Sequence, residues 1–275
     1  MLTTDALRRA LDGDGTTLTL DRGFQGLPDT AHGGSVLAAF DLVAGGRGPR
    51  ALRGQYLRRV PLGVVLRLTV DRAGPGHAFT LRDGGAMLVE GALTPADATA
   101  GAAAEPPPTE AMSLPISRGC FACGTDNPLG LGARLRADDA VVGGTWRPRP
   151  GFAATDGTLA PVALTTLLDE AAFWLGALAT GESGMTTDLR VTLHDLPPAD
   201  GEITVAGARA AVRARADDAR YWDTAVSARD AGGRLVASAA ITFVAVRGAA
   251  RRLAAGMLAV NPPELLRRVF PGYAR

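Results

Sequence analysis

Two apolar segments of the sequence each carry an aspartate nine residues after the position where a helix is expected to begin. The first, AHGGSVLAAFD at residues 31–41, has a His-Gly-Gly triplet starting at His32 and ends at Asp41. The second, APVALTTLLDEA at residues 160–171, places Asp169 at the corresponding position but lacks the glycines. The two segments therefore correspond to each other, and the first differs from the second in its glycines.

The triplet His32, Gly33 and Gly34 is suited to stabilising negative charge. The first N–H groups of a helix have no intrahelical partner and carry partial positive charge. They can bind a carbonyl oxygen as negative charge develops on it, and glycine lets a substrate approach the backbone closely. One alternative is a simple glycine turn before a helix. Another is the oxyanion loop of an α/β-hydrolase, which would require a G-x-S-x-G motif that the sequence lacks.

Asp169 and Glu170 form a carboxylate pair on a segment otherwise built for burial. Leu167 and Leu168 precede the pair and Ala171 follows it. Burying an unpaired charge costs several kcal/mol, and perturbed titratable groups are concentrated at functional sites. A solvent-exposed pair is the alternative, but the apolar flanks favour at least one buried carboxylate with a function.

The composition excludes several classes of function. The net charge of +1 provides no basic surface for nucleic acid, and all 29 basic residues are arginine, which excludes a lysine Schiff base or a Walker-type phosphate loop. The N-terminal segment lacks the apolar stretch of a signal peptide, and no run reaches the roughly 18 apolar residues of a membrane span. Two cysteines do not make a disulfide framework. We therefore expect a cytoplasmic protein that binds neither nucleic acid nor a membrane.

The chain divides into two halves with the same order of predicted elements. An Ala/Pro-rich linker over residues 96–114 separates an N-terminal domain (1–95) from a C-terminal domain (115–247), and a helical tail follows at 248–275. In each half a strand and a helix precede a series of alternating strands with Gly and Pro turns. This repetition predicts two tandem copies of one α+β fold.

The helix predicted over residues 161–179 determines how such a fold is arranged. Pro161 suits its first turn, and the helix is apolar on nearly all sides, so most of its circumference must be covered. A curved antiparallel sheet formed by the following strands would cover it.

Five sequence motifs resemble those of one enzyme family. They are CFACGTDNPLGL (120–131), LLDEAAFW and TTDLRV in the second half, and GFQGLPDTAHGG and YLRRVPLG in the first half. These segments are similar to acyl-CoA thioesterases of the phenylacetate-pathway (PaaI-like) type, which have the hotdog fold. The resemblance implies two tandem hotdog folds, each an antiparallel sheet wrapped around a central helix, that form a pseudo-dimer. It also implies hydrolysis of an acyl-CoA thioester.

The resemblance implies catalytic roles for four residues. Asp169 would be the base or the nucleophile, and the Gly33 N–H would polarise the thioester carbonyl. Thr186 would assist the attacking water or the acid, although β-propensity alone would also explain a threonine there. His32 would shape the start of the helix.

Hotdog enzymes of this type build each site across a pseudo-twofold interface, so two sites are conceivable. One combines Gly33 with Asp169. The other would combine Asp41 with Pro161, and proline has no N–H to donate. We therefore expect one active site between the two halves.

The remaining candidate substrate contacts are Gln25, Gly34, Glu170, Arg53, Arg58 and Arg59. Gln25 is equally well explained as a turn residue, and Glu170 as a supporting group. Arginines could pair with the phosphates of coenzyme A, although such residues usually form a solvated face. Cys120 and Cys123 form a single CxxC with no second pair, so neither a metal ion nor a redox cofactor is expected.

Two other functions remain open at this stage. An enoyl-CoA hydratase or dehydratase would need a histidine and an aspartate placed for proton transfer, and the sequence has no D-x-N-x-x-H pattern. A non-catalytic acyl-CoA-binding or regulatory protein would suit a chain in which one of two sites has decayed. A homodimer of the fused unit is compatible with each of these functions.

Overall fold

The computed structural model describes residues 2–72, 75–97, 106–108 and 111–274. The helices within these residues are α1 (Thr3–Ala10), α2 (Gly33–Ala44), α3 (Pro161–Thr180), α4 (Ala249–Met257) and α5 (Pro263–Val269). The strands are β1 (Thr17–Leu18), β2 (Arg50–Tyr56), β3 (Leu66–Asp71), β4 (His77–Asp83), β5 (Ala86–Pro95), β6 (Met112–Ser113), β7 (Arg136–Ala137), β8 (Val141–Trp146), β9 (Gly184–Leu193), β10 (Ile203–Ala208), β11 (Arg213–Ala214), β12 (Tyr221–Asp230) and β13 (Leu235–Ala245).

The two halves share one strand order and meet along a continuous antiparallel sheet. The order is β1-β3-β4-β5-β2 in the first half and β8-β10-β12-β13-β9 in the second, so each of these ten strands has a counterpart. Strands β7 and β6 extend the second half beyond β8, and β11 pairs with β12. Strands β2 and β9 pair at the centre, with Arg50 opposite Leu193 and Gln55 opposite Asp188. Helices α2 and α3 pack against each other. The α+β architecture of two tandem units, each with a central helix, is therefore confirmed.

Helix α3 is the buried axis of the second half. It packs against β9, β10, β12 and β13. By length and composition this helix could cross a membrane, but 83% of its most apolar 18-residue stretch is buried inside the protein. The sheet that surrounds it explains why this helix is apolar on nearly all sides.

Both central helices end at a glycine in the left-handed conformation. Gly45 follows α2 with φ 62°, and Gly181 follows α3 with φ 67°. Side chains with a Cβ are strained at such angles, so glycine is the usual residue there. Helix α2 has 12 residues and α3 has 20, so the second half carries two additional helical turns.

The structure differs from the expected organisation at two points. Strand β6 lies inside the expected linker 96–114 and pairs with β7 at the edge of the sheet, while residues 98–105 and 109–110 of that linker lie outside the described residues. Helix α1, which the sequence analysis did not predict, buries Ala6 and Leu7 in the core.

Candidate active site

Asp169 is the centre of a buried cluster of polar groups from three elements. It projects from α3 and is 5% exposed. Its Oδ1 accepts a hydrogen bond from the Thr186 hydroxyl of β9 at 2.6 Å, and its Oδ2 accepts one from the Gly34 N–H of α2 at 3.1 Å. The Nδ1 atom of His32 lies 3.1 Å from the same Oδ2. A carboxylate of the second half is thus held by the helix start of the first half.

A β-bulge in β9 turns Thr186 toward Asp169. Asp188 is opposite Thr242 of β13 and Thr186 is opposite Phe243, so the residue between them is the extra one. Side chains alternate between the two faces of a strand, and one extra residue reverses that alternation. The bulge therefore places the Thr186 hydroxyl on the inner face, where Asp169 lies.

His32 lies between two buried carboxylates. Its Nδ1 faces Asp169, and its Nε2 is 3.6 Å from Oε2 of Glu170. Burial alone would lower the pKa of His32, but the nearby carboxylates of Asp169 and Glu170 outweigh burial and raise that pKa well above its ordinary value. A raised pKa favours the protonated ring, whose Nδ1–H can donate to Asp169. The Gly34 N–H lies 3.3 Å from Nδ1 of His32 and 3.1 Å from Oδ2 of Asp169, and the closer carboxylate oxygen is its acceptor when the ring is protonated.

The backbone N–H of Gly33 makes no hydrogen bond to any part of the chain that the structure describes. Gly33 is the first residue of α2, where an N–H has no intrahelical partner. Its carbonyl accepts a hydrogen bond of 2.6 Å from the Tyr56 hydroxyl. Burial, together with the charge of Asp169, raises the pKa of Tyr56 well above its usual range, so this hydroxyl keeps its proton. The Gly33 N–H is therefore held in place and available to a ligand.

Gly34 is required by packing. A Cβ at this position would lie 2.6 Å from the backbone of Thr165 in α3. The Thr165 hydroxyl also donates to the Gly34 carbonyl at 2.7 Å. The second glycine of the triplet thus allows α2 to pack closely on α3, which brings the helix start to Asp169.

A cavity of about 630 Å³ opens onto Asp169. Eight of the candidate site residues line it, namely Gln25, His32, Gly33, Arg58, Arg59, Asp169, Glu170 and Thr186. Tyr56 and Trp174, which the sequence analysis missed, also line it. Tyr56 belongs to the YLRRVPLG motif, so that motif was the available signal. The Trp174 Nε1–H donates to Oε1 of Glu170 at 3.0 Å and thereby fixes this carboxylate.

Two candidate substrate contacts do not reach the cavity. The guanidinium of Arg53 pairs with Asp188 at 2.8 Å, and Arg53 itself does not line the cavity. Gly34 donates its N–H to Asp169 and therefore has none to offer to a substrate. Gln25 lines the cavity, but its side-chain Oε1 accepts the Asp29 N–H at 3.4 Å, which is the contact of a turn residue.

Cys120 and Cys123 lie on the cavity wall next to Glu170. Both thiols are free and buried. Each of the three residues has a donor atom within 4.8 Å of the donor atoms of the other two. The hydrogen bond from Cys123 lowers the pKa of the Cys120 thiol. The structure thus adds a carboxylate from α3 to the CxxC pair.

The equivalent position in the other half has become an ion pair. Asp41 of α2 is buried and receives both the Nε–H and the Nη2–H of Arg50. Arg50 stands six residues after the end of α2, as Thr186 stands six residues after the end of α3. Arg50 therefore occupies the place of Thr186, and Pro161 occupies the place of Gly33. Asp41 and Pro161 line a second cavity of about 660 Å³.

Comparisons with known proteins identify the fold. No protein-family model and no curated sequence matches the chain. A provisionally named thioesterase II from Thermobifida fusca matches with a TM-score of 0.63 at 18% identity, covering 90% of this chain and 100% of that chain. The acyl-CoA thioesterase II TesB2 of Mycobacterium marinum matches with a TM-score of 0.54 at 14% identity, covering 88% of this chain and 98% of that chain.

A hotdog-fold protein of unknown function from Alicyclobacillus acidocaldarius gives a TM-score of 0.56 at 14% identity, covering 89% of this chain and 97% of that chain. A variant of the GphF dehydratase is also among the matching structures. Identities this low establish the architecture, since hotdog proteins with different activities match alike. The chain therefore has the hotdog fold, in two tandem copies within one polypeptide.

Proposed function

We propose that this protein hydrolyses an acyl-CoA thioester at the site around Asp169, as the PaaI-like resemblance implies. The observation that carries the proposal is the arrangement of polar groups around Asp169 on the cavity wall. There a buried carboxylate, anchored by Thr186 and Gly34, lies beside the unpaired N–H of Gly33. Acyl transfer needs an acid-base or nucleophilic group together with a donor for the developing oxyanion. The acyl-CoA thioesterase among the matching structures supports this assignment at the level of the fold.

The Gly33 N–H polarises the thioester carbonyl, and the N-terminal end of α2 stabilises the oxyanion. As a base, Asp169 removes a proton from water while the water oxygen attacks the carbonyl carbon. As a nucleophile, Asp169 attacks that carbon and forms an anhydride, which water then cleaves. In both routes the C–S bond breaks, coenzyme A leaves as the thiolate and takes up a proton, and the acyl group leaves as the carboxylate.

The lining of the cavity suits both parts of such a substrate. Arg58 and Arg59 are exposed at the rim, where guanidinium groups can bind the phosphates of coenzyme A. The apolar lining residues include Phe173, Trp174, Met185, Val244, Leu253 and Met257. These side chains provide an apolar environment for the acyl group. Cys120 and Cys123 are free thiols, in keeping with a cytoplasmic location.

A dehydratase or hydratase is the second candidate, because His32 and Asp169 lie side by side on the cavity wall. Such an enzyme uses a histidine to remove or add a proton at the substrate carbon. Here both ring nitrogens of His32 face carboxylates, which favours a structural role for the ring and supports hydrolysis instead. The third candidate is a protein that binds acyl-CoA without turning it over.

A panel of acyl-CoA thioesters separates these functions. Release of free coenzyme A thiol by the purified protein, and its loss in Asp169→Asn, is the result expected for a thioesterase. Conversion of 3-hydroxyacyl-CoA to enoyl-CoA without thiol release would establish the dehydratase. Saturable binding without either product would establish the binding protein. In a single turnover in heavy-oxygen water, an unlabelled carboxylate product with the label on Asp169 would establish the nucleophilic route, in which water cleaves the anhydride at the aspartyl carbon. A labelled product is expected from the base route and also from attack of water on the acyl carbon of the anhydride.

A further inference from the structure

The CxxC loop and Glu170 form a buried cluster that the proposed hydrolysis does not use. Cys120 and Cys123 are each 5% exposed and Glu170 is 6% exposed, and their donor atoms lie within 4.8 Å of one another. Around a tetrahedral zinc ion, with Zn–S of about 2.3 Å and Zn–O of about 2.0–2.2 Å, donor atoms are roughly 3.5–4 Å apart. Small side-chain rotations would therefore bring these three donor atoms to bonding distance of one zinc ion.

Hydrogen bonds within the loop that carries the cysteines keep it tightly turned. The Ala122 N–H donates to Sγ of Cys120 at 3.3 Å, and the Gly124 N–H donates to the Cys120 carbonyl at 2.9 Å. A Cβ at Gly124 would lie 2.2 Å from that carbonyl oxygen, so only glycine fits. An N–H bond to sulfur stabilises a thiolate, which is the form that binds metal. Asn127 fixes the rest of the loop by donating to the carbonyls of Gly23 and Gly119.

Glu170 has the surroundings of a metal-bound carboxylate. Its Oε1 accepts the Trp174 N–H at 3.0 Å, and such outer hydrogen bonds orient ligating carboxylates in metal sites. Buried charges in proteins are paired or coordinate metals. Asp169 already binds the His32 ring closely at Nδ1, while Glu170 faces Nε2 at 3.6 Å. The carboxylate of Glu170 therefore retains capacity for a cation on the side of the cysteines.

We infer that Cys120, Cys123 and Glu170 bind one zinc ion on the wall of the cavity. Two thiolates and a carboxylate suit zinc, a borderline-soft ion that takes sulfur and oxygen ligands together. All three residues line the cavity, so the fourth position of the tetrahedron is open to water on that side. The ion ties the loop of the CFACGTDNPLGL motif to α3, one residue from Asp169.

This inference replaces the expectation of a metal-free protein. That expectation rested on the absence of a second cysteine pair, whereas the third donor here comes from α3, far along the sequence. Glu170 also faces His32 of the proposed active site, but the ligands of the ion do not include Asp169, Thr186 or Gly33. Metal content and turnover can therefore be tested separately.

The test uses the full chain, free of any affinity tag and expressed with zinc in the medium. We expect about one zinc per chain by elemental mass spectrometry, and a thiolate-to-metal charge-transfer band after exchange with cobalt(II). The chain has two cysteines, so this band can come only from Cys120 and Cys123. The double variant Cys120→Ser, Cys123→Ser loses both signals, and Glu170→Gln binds cobalt at least tenfold more weakly.

Asp169→Asn is the matched control, since it alters the neighbouring carboxylate and should retain zinc while losing turnover. If the double cysteine variant does not fold, the wild-type cobalt spectrum and its weakening in Glu170→Gln decide the question. A wild-type protein with neither zinc nor the cobalt band, or one whose two thiols form a disulfide in place of binding metal, would overturn the inference.

Discussion

Replacing Asp169 and Asp41 separately by asparagine should produce opposite defects, although the two aspartates occupy equivalent places in α3 and α2. Asp169→Asn removes the group proposed as base or nucleophile. A positioned base contributes about 10²–10⁴-fold to the rate, which corresponds to roughly 3–5 kcal/mol of barrier at about 1.4 kcal/mol per tenfold. We therefore expect kcat to fall by at least about a hundredfold in Asp169→Asn.

The fold should tolerate Asp169→Asn. The asparagine oxygen can accept from the Gly34 N–H and from His32, and its NH₂ group can donate to the Thr186 hydroxyl, which rotates to accept. Each contact of the carboxylate thus has a replacement, although a neutral amide is a weaker partner for the His32 cation. We expect a loss of about 1.5–3 kcal/mol in the free energy of unfolding, on the scale of a charged hydrogen bond.

Asp41→Asn should spare the activity and damage the stability. Arg50 is 3% exposed and its guanidinium donates twice to Asp41, at 2.8 Å through Nη2. Removing one partner of a buried ion pair leaves an uncompensated charge and typically costs about 3–5 kcal/mol. Because Pro161 already removes the N–H from this position, turnover per folded molecule should stay within a few-fold of native. The double variant Asp41→Leu, Arg50→Leu should recover much of the lost stability.

Urea unfolding followed by circular dichroism measures the stability, and thiol release from a reactive acyl-CoA measures kcat under conditions where each variant is folded. The reasoning would be refuted if Asp41→Asn lowered kcat as far as Asp169→Asn does in folded protein. It would also be refuted if Asp169→Asn retained native kcat, since the carboxylate would then have no part in the chemistry.

Three further predictions address the remaining groups. Gly33→Pro removes the free N–H and should lower kcat about 10²–10³-fold. Gly33→Ala keeps the N–H and places a Cβ 2.8 Å from Oδ2 of Asp169, so this variant measures the steric part of that loss. Thr186→Val should lower kcat about tenfold or more without unfolding the protein, because it removes one charge-assisted hydrogen bond to Asp169 and leaves β-propensity unchanged; equal rates would remove Thr186 from the site. The double variant Arg58→Ala, Arg59→Ala should raise KM for acyl-CoA, keep kcat, and weaken the salt dependence of KM. An acyl thioester that lacks the nucleotide is the control substrate. An unchanged KM for acyl-CoA would show that the rim does not bind the phosphates.

The fold could be predicted from the sequence because its signals are local and repeated. Alternating strands, a helix apolar on all sides and the same order of elements in both halves are properties of short segments. The predicted helix over 161–179 matches α3, Pro161–Thr180, almost residue for residue. Helix α1 was missed because its apolar face consists of only a few small and medium side chains on an arginine-bearing segment.

The candidate site could be predicted only in part, because its contacts join residues far apart in the sequence. Spacing indicated His32 and Asp169, and the structure brings them to 3.1 Å. It could not show that the Gly34 N–H is taken by Asp169, or that α2 packs on α3 through this glycine. Nor could it show Arg50 opposite Asp41, since the equivalence of Arg50 and Thr186 depends on the eight additional residues of α3 and on a bulge.

The contrast between the two halves supports different roles for the two buried carboxylates. Both aspartates face an N-terminal helix end of the opposite half, and both need partners to remain charged when buried. At Asp41 the partner is a guanidinium, which neutralises the charge and occupies both oxygens. At Asp169 the partners are a hydroxyl, an N–H and His32, which is itself shared with Glu170. A shared cation compensates burial without capping the carboxylate with a dedicated arginine. Asp169 therefore lines its cavity with no arginine from the described part of the chain bonded to it, which suits the base or nucleophile that we propose.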